Sequence, residues 1–384
     1  MYAQRLALFA SWASGNPGEY DLLRRLRGKR TPATFENARP VFPVGTPMAT
    51  RRAFGLALKA AAAELPELWG GSADLGESNN TTIDDTSSFL PRSSPLPGAN
   101  PYGQTVHWGV REHFMAAAMN GIALSGLSRP YGGTFLVFSD YMRPAVRLAA
   151  LMKLPALYVW THDSIGLGED GPTHQPIEHL ASLRAIPGLD IVRPADAGET
   201  AITLWKVLSA PGKPTGFSLS RQDLLVFPDR SDGFRSAADA VRGGGYIRYE
   251  TPAQDNAADP DVVIIATGSE VQIAVAAARA LAGEGLRARV VSMPCREWFD
   301  EQDPSYRDSV IPPTVRRRIT VEAGVGQGWY DLLGLDGRAI SVEEFGDSAS
   351  AAELYEHFGI TPEAVAEAAR DLMRLPSPGN VHRR

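Results

Sequence analysis

The sequence predicts an α/β protein built as two three-layer α/β/α units with mainly parallel sheets. Three observations carry this. Short apolar runs such as Leu154-Pro155-Ala156-Leu157-Tyr158-Val159-Trp160 and Val262-Val263-Ile264-Ile265-Ala266 have the length and continuity of strands buried on both faces. Helix-length stretches rich in Ala and Leu alternate with them along the chain. With 384 residues, the chain is long enough for two or three domains at about 100–200 residues each.

The elements follow in order. Residues 1–45 form a lead-in, with an amphipathic helix using Leu6, Phe9 and Trp12, a basic run from Arg24 to Arg30, and then a Pro-rich stretch too poor in apolar residues for a core. The first compact unit spans 46–230. It opens with a helix over 50–64 carrying Phe54, Leu56 and Leu58 among alanines. A strand and turn follow in LPELWGGSADL, then a long loop over 79–102 rich in Ser, Asn, Thr and Pro. TVHWGV reads as a short strand, REHFMAAAMNGIALSG as a helix with small residues on most faces, TFLVF as a strand and DYMRPAVRLAALMKL as a helix. LPALYVW, the strand end at Asp190–Pro194, the helix GETAITLWKVLSA and the strand TGFSLSR complete the unit. Residues 231–260 read as a linker holding one strand, GGYIRY. The second unit, 261–376, begins with a βαβ motif in which Ser269 is the expected N-cap and Gly283 or Gly285 the stop. RRRITVEAG and AISVEEFG add strands, AAELYEHFG and PEAVAEAARDLMRL add helices, and 377–384 reads as a flexible tail.

Composition narrows the function. Hydrophobic residues make up 44% and charged residues 21%, ordinary for a soluble globular chain. A net charge of -6 argues against a nucleic-acid or membrane-surface binder. No apolar stretch approaches the roughly 20 residues of a membrane span, and the start has no convincing signal-peptide cleavage site. The single cysteine, Cys295, rules out an intramolecular disulfide and fits a reducing compartment, so a cytoplasmic location is expected.

The chemistry concentrates in HDSIGLGEDGPTHQP, 162–176. It holds two histidines, three carboxylates and three glycines directly after a buried strand, where open parallel sheets place their ligands. His162, Asp170 and His174 lack the spacing of a helical zinc pair, and the mixture suits hydrogen bonding to a polyhydroxylated substrate. Gly166, Gly168 and Gly171 give the backbone freedom to aim these groups inward. Glu112 in GVREH stands at the start of an apolar helix. It is either a helix-dipole partner or a carboxyl in an apolar site able to trade a proton with a ring nitrogen. Phe135, Phe138 and Tyr141 are core residues or an aromatic wall for a planar ring; strand alternation sends Phe135 and Phe138 to opposite sides. Arg51, Ser78 and Arg221 are surface residues or a phosphate grip. GVGQG at 324–328 lacks the dinucleotide-binding spacing.

Taken together, GGSADLGESN, HWGVREH, GTFLVFSDY, THDSIGLGEDGPTHQP, LSRQ, ATGSEV, ARVVSMP, VEAG and FGDSA resemble the transketolase family, from about residue 48 to 375. The resemblance implies a thiamine diphosphate-binding pyrimidine domain followed by a transketolase C-terminal domain. Glu112 then matches the glutamate that bonds the aminopyrimidine ring of thiamine diphosphate, and the cofactor acts as electron sink. Phe135, Phe138 and Tyr141 match its aromatic pocket, and Asp74 and Leu75 a strand end beside it. His162, Asp170 and His174 match substrate-hydroxyl and proton-transfer positions, and Arg51, Ser78 and Arg221 the phosphate clamp. The family's diphosphate- and Mg²⁺-binding motif, of G-D-G…N type, is not found in this sequence. The expectation is a split enzyme: a separate subunit supplies the diphosphate-binding domain and Mg²⁺, and the assembly self-associates through the family dimer interface. Sugar phosphates are the expected substrates. The β chain of a 2-oxoacid dehydrogenase and a deoxyxylulose-phosphate synthase are disfavoured by the histidine loop and Arg221, and a non-catalytic remnant by the full set of suitable side chains.

Overall fold

A computed structural model describes residues 1–83, 86–252 and 259–374. The expected tail at 377–384 and part of the expected linker lie outside them. Two five-stranded sheets organise the chain. The first is parallel throughout, with spatial order Leu68–Ser72, Arg129–Phe135, Leu157–Thr161, Thr215–Leu219, Asp190–Val192. Its central strand shows why it reads as an unbroken apolar run. Leu157 and Val159 enter one core with Phe54, Leu58, Leu204 and Trp205 from the helices Thr50–Glu64 and Ala197–Ser209. Tyr158 and Trp160 enter the opposite core with Met115, Met119 and Val146 from Glu112–Ser125 and Ser139–Leu151. Both faces are covered, so every position up to Trp160 is apolar.

The second sheet runs Tyr246–Glu250, Ala288–Ser292, Val262–Ala266, Arg318–Val321, Arg338–Ile340, with the first strand antiparallel and the rest parallel. The strand expected inside a linker is thus the antiparallel edge of this sheet. Ile264, Val290 and Ile319 pack under the helices Glu270–Gly283 and Pro362–Arg374, and Val263, Ile265 and Val291 face Phe299, Trp329 and Leu333.

Other expectations need correction. TVHWGV forms no strand: Thr105 makes only isolated bridges to Gly70 and Ser88, and Gly109, at φ +67°, turns the chain toward the next helix. Ser269 occupies the N-cap position without capping, because its hydroxyl donates to Glu270 Oε1 at 2.7 Å instead. The lead-in helices Tyr2–Gly15 and Pro17–Arg27 bury no residue, and Leu6, Phe9 and Trp12 are all exposed. Phe35 anchors the segment instead. Its ring stacks on Trp205 with centroids 4.8 Å apart, and its carbonyl accepts from Trp205 Nε1 at 2.8 Å.

Candidate active site

The carboxyl ends of the first sheet carry most of the expected residues, as open parallel sheets dictate. The strand Arg129–Phe135 ends in a 3₁₀ turn over Leu136–Phe138. Three residues per turn bring position i+3 back to the same side. Phe135 and Phe138 therefore share one face, with rings stacked 5.7 Å apart at 10°, contrary to the alternation expected of a continuing strand. Tyr141 extends the row 5.9 Å beyond Phe138 and is exposed. His162 closes the other end, its ring 3.7 Å from that of Phe135, and His174 meets both Phe135 and Phe138 edge-on at 6.0 and 5.6 Å.

His162 is buried at a left-handed φ of +60°, sparsely populated for a residue with a Cβ. A hydrogen-bond chain fixes its ring. Thr161 Oγ1 donates to Asn79 Oδ1 at 2.6 Å and lies 2.7 Å from His162 Nδ1. A hydroxyl has one proton, so His162 must donate from Nδ1. Its Nε2 is then a bare acceptor with no partner among the described residues. Burial first, then the charges of Arg51 and Arg221, lower the imidazole pKa to about 3, which keeps it neutral. Asn79 Nδ2 donates in turn to Ser72 Oγ at 3.0 Å.

Arg51 begins the helix Thr50–Glu64, whose start is tied to the next strand end: Thr50 N donates to Ser220 Oγ at 3.0 Å. Its Nη1 donates to the carbonyl of Ser78 at 2.7 Å. Burial and the nearby Arg221 charge both lower the Arg51 pKa, while Asp223 and Asp170 work in the other direction. Two guanidiniums thus face one region. Arg221 and Asp170 are exposed.

Asp74, Leu75 and Ser78 line a separate cavity of about 370 Å³ with Ser72, Thr82, Val106 and His107. Asp74 is held at φ +59°. Glu112 opens the helix that packs on the strand Arg129–Phe135 and is 8% exposed. Its carboxyl has no hydrogen-bond or ion-pair partner among the described residues. It is not among the residues that line the Asp74 cavity.

Sequence reasoning missed Asn79 and Thr161, which set the His162 tautomer, and Asp163, Arg193 and Gln175, which hold the loop. Asn79, Thr161, Asp163 and Gln175 lie inside strings already singled out, but their pairings cross the chain. Among the described residues one cluster has metal-ligand proximity: Asp140, Glu178 and buried His179, with His179 Nε2 3.2 Å from Asp140 Oδ2.

Two covered α/β sheets, with an aromatic row and a histidine loop at the carboxyl edge of the first, have the architecture of a pyrimidine-binding domain followed by a second α/β unit. Family models agree: residues 46–225 match the transketolase pyrimidine binding domain and 244–361 the transketolase-like C-terminal domain. The chain belongs to the transketolase family. It is 51% identical over 371 residues to the transketolase of Mycobacterium leprae, covering 95% of this chain and 52% of that one. The Geobacillus stearothermophilus transketolase is 44% identical over 364 residues, with coverage of 95% and 52%. The chain thus spans about half the length of the curated relatives it matches. A Pichia stipitis transketolase solved with sedoheptulose 7-phosphate superposes with a TM-score of 0.87 at 39% identity, over 96% of this chain and 52% of that one. A split-gene transketolase, described as an inactive β4 tetramer, superposes at 0.63 and 25% identity over 86% of this chain and 100% of that one. No described helix is long and apolar enough to cross a membrane.

Proposed function

We propose that this chain is the sugar-gripping half of a cytoplasmic, split, thiamine diphosphate-dependent transketolase, moving a two-carbon ketol unit from a ketose phosphate to an aldose phosphate. The observation that carries the reading is Glu112. It is 8% exposed, and its carboxyl has no hydrogen-bond or ion-pair partner among the described residues, at the foot of a helix packed on the strand that ends in the aromatic row. A carboxyl at an apolar helix start with no protein partner is free to bond a ligand.

Tested residue by residue, the site fits the pyrimidine end of the cofactor and not the charged end. Phe135, Phe138 and Tyr141 offer a stacking surface, Asp74 and Leu75 line the separate cavity beyond the strand Leu68–Ser72, and Glu112 offers a carboxyl to a ring nitrogen. Mg²⁺ and diphosphate call for an oxygen donor set. The one metal-capable cluster among the described residues includes an imidazole already bonded to Asp140. We assign the diphosphate and Mg²⁺ to a companion polypeptide, and the split-gene relative, whose whole length is matched by 86% of this chain, supports that assignment.

Thiamine diphosphate, when bound, supplies the electron sink for carbon–carbon cleavage. The chain's own residues do the rest. Glu112 holds and returns a proton at a pyrimidine nitrogen. His162 Nε2, unprotonated, accepts from a sugar hydroxyl. Asp170 accepts from another, and His174 hydrogen-bonds and moves a proton at the mouth. Arg51 and Arg221, whose charges repel each other, are relieved by a phosphate, with Ser78 beside them. Exposed Phe114, Leu148 and Leu151 on the outer helices support self-association through this face. Calorimetric titration with thiamine diphosphate and Mg²⁺ tests the reading. The chain mixed with a transketolase diphosphate-binding domain should bind about 100-fold more tightly than the chain alone, the scale expected when a charged group gains its site. Equal affinity would overturn it.

A further inference from the structure

The loop 162–176 belongs to the first unit, yet it is fastened from the second at two places. At its start, Arg193 Nε donates to Asp163 Oδ2 at 2.9 Å. Arg193 Nη1 donates to the carbonyl and the hydroxyl of Thr267 at 3.1 and 2.9 Å and pairs with Glu270. Tyr355 OH and Ser269 Oγ donate to the other Glu270 oxygen at 2.6 and 2.7 Å. Further along, Gln175 Nε2 donates to Gly168 O within the loop at 3.0 Å and to Asp347 O of the second unit at 2.9 Å. Ser348 Oγ donates to Glu169 O at 2.7 Å.

The sequence keeps room for these contacts. Gly268 sits at φ +53°, and a Cβ there would lie 2.7 Å from Arg193 Nε; a Cβ at Gly346 would lie 1.6 Å from Gln175 Oε1. Stability alone does not explain the first anchor. Arg193, Asp163 and Glu270 are at most 1% exposed, and buried ion pairs are commonly neutral or worse against apolar replacements of the same volume. What such a cluster does provide is one geometry. The residue it borders is His162, in its left-handed backbone conformation.

We propose that Arg193 and Gln175 are positioning residues through which the second unit holds the loop, and with it His162, Asp170 and His174, in its sugar-binding conformation. The proposal deepens the transketolase reading and rests on it for the identity of the ligand; the anchoring itself does not.

Hydrogen exchange on the 384-residue chain tests the anchoring without any ligand. In Gln175→Ala, amides of 166–175 should exchange about tenfold faster while the strands Leu157–Thr161 and Val262–Ala266 stay protected. Arg193→Met should extend the effect to 162–165; if that variant does not fold, Gln175→Ala alone decides. Unchanged loop exchange in Gln175→Ala overturns the proposal. In the two-chain enzyme, Gln175→Ala should raise KM for xylulose 5-phosphate about tenfold with kcat and thiamine diphosphate affinity within about twofold. An unchanged KM also overturns it. Faster loop exchange in an assembly whose wild type transfers no ketol unit would leave the anchoring standing and refute the substrate reading instead.

Discussion

The carboxyl edges of the two sheets place similar polar groups in similar positions and treat them in opposite ways. At the first edge, Glu112 and His162 Nε2 have no partner among the described residues, and the charge of Arg221 acts on Arg51 and lowers its pKa. At the second, Glu322 accepts two bonds from Arg184 at 2.8 and 2.9 Å, one from Trp329 Nε1 at 3.0 Å and one from Thr267 Oγ1 at 2.5 Å. Burial alone would raise the Glu322 pKa, but Arg184 and Arg193 bring it down to about 2. Glu270 is saturated in the same way. We read the edge with unpartnered groups as the proposed site, and the edge whose carboxylates are saturated as a joint between the two units. The same topology serves both because the strand ends fix where the polar groups stand and the partners decide what they do.

The comparison can be broken at several strengths. Glu112→Gln keeps the size of the side chain and removes its proton chemistry. It should lower kcat of the proposed two-chain enzyme by about 10²–10⁴-fold, the range of general acid–base catalysis, with no loss of melting temperature. Arg184→Ala, on the saturated edge, should do the reverse. Glu322 loses its main counter-charge while buried, and unfolding free energy in denaturant should fall by about 3–5 kcal/mol. A pH dependence also separates the edges. Because the folded His162 pKa is depressed to about 3, the unfolded chain takes up a proton near 6.5 that the folded chain refuses. Stability should therefore fall as pH drops from about 6.5 toward 3, and His162→Asn should flatten that part of the profile. A profile unchanged by the substitution would contradict the buried neutral imidazole. Smallest is a helix cap. Ser350 and Glu353 form a capping box on Ala351–His357, and Ser350→Ala should cost about 1 kcal/mol in denaturant unfolding.

Much of the fold was legible because strands buried on both faces read as continuous apolar runs, as Val262–Ala266 and Leu157–Trp160 do. TVHWGV was misread because six residues bordering a glycine turn look like a strand until the edge is seen to pair at one residue only. Phe135 and Phe138 were placed on opposite faces because nothing local marks where a strand gives way to a 3₁₀ turn. In the site, the groups that carry charge or aromatic surface declared themselves by type. The residues that aim them did not. Thr161 and Asn79 lie 82 positions apart and Arg193 and Glu270 lie 77 apart, so their pairing exists only in the folded chain. Ser78 shows the converse: its carbonyl, not its hydroxyl, is what Arg51 grips in the ligand-free fold.

The most direct test is a ketol-transfer assay from xylulose 5-phosphate to ribose 5-phosphate, with thiamine diphosphate and Mg²⁺. It is run on this chain alone and on the chain mixed with a companion carrying a transketolase diphosphate-binding domain. The account predicts transfer only in the mixture. Turnover by the chain alone, or none from a stable complex of the two, would contradict it.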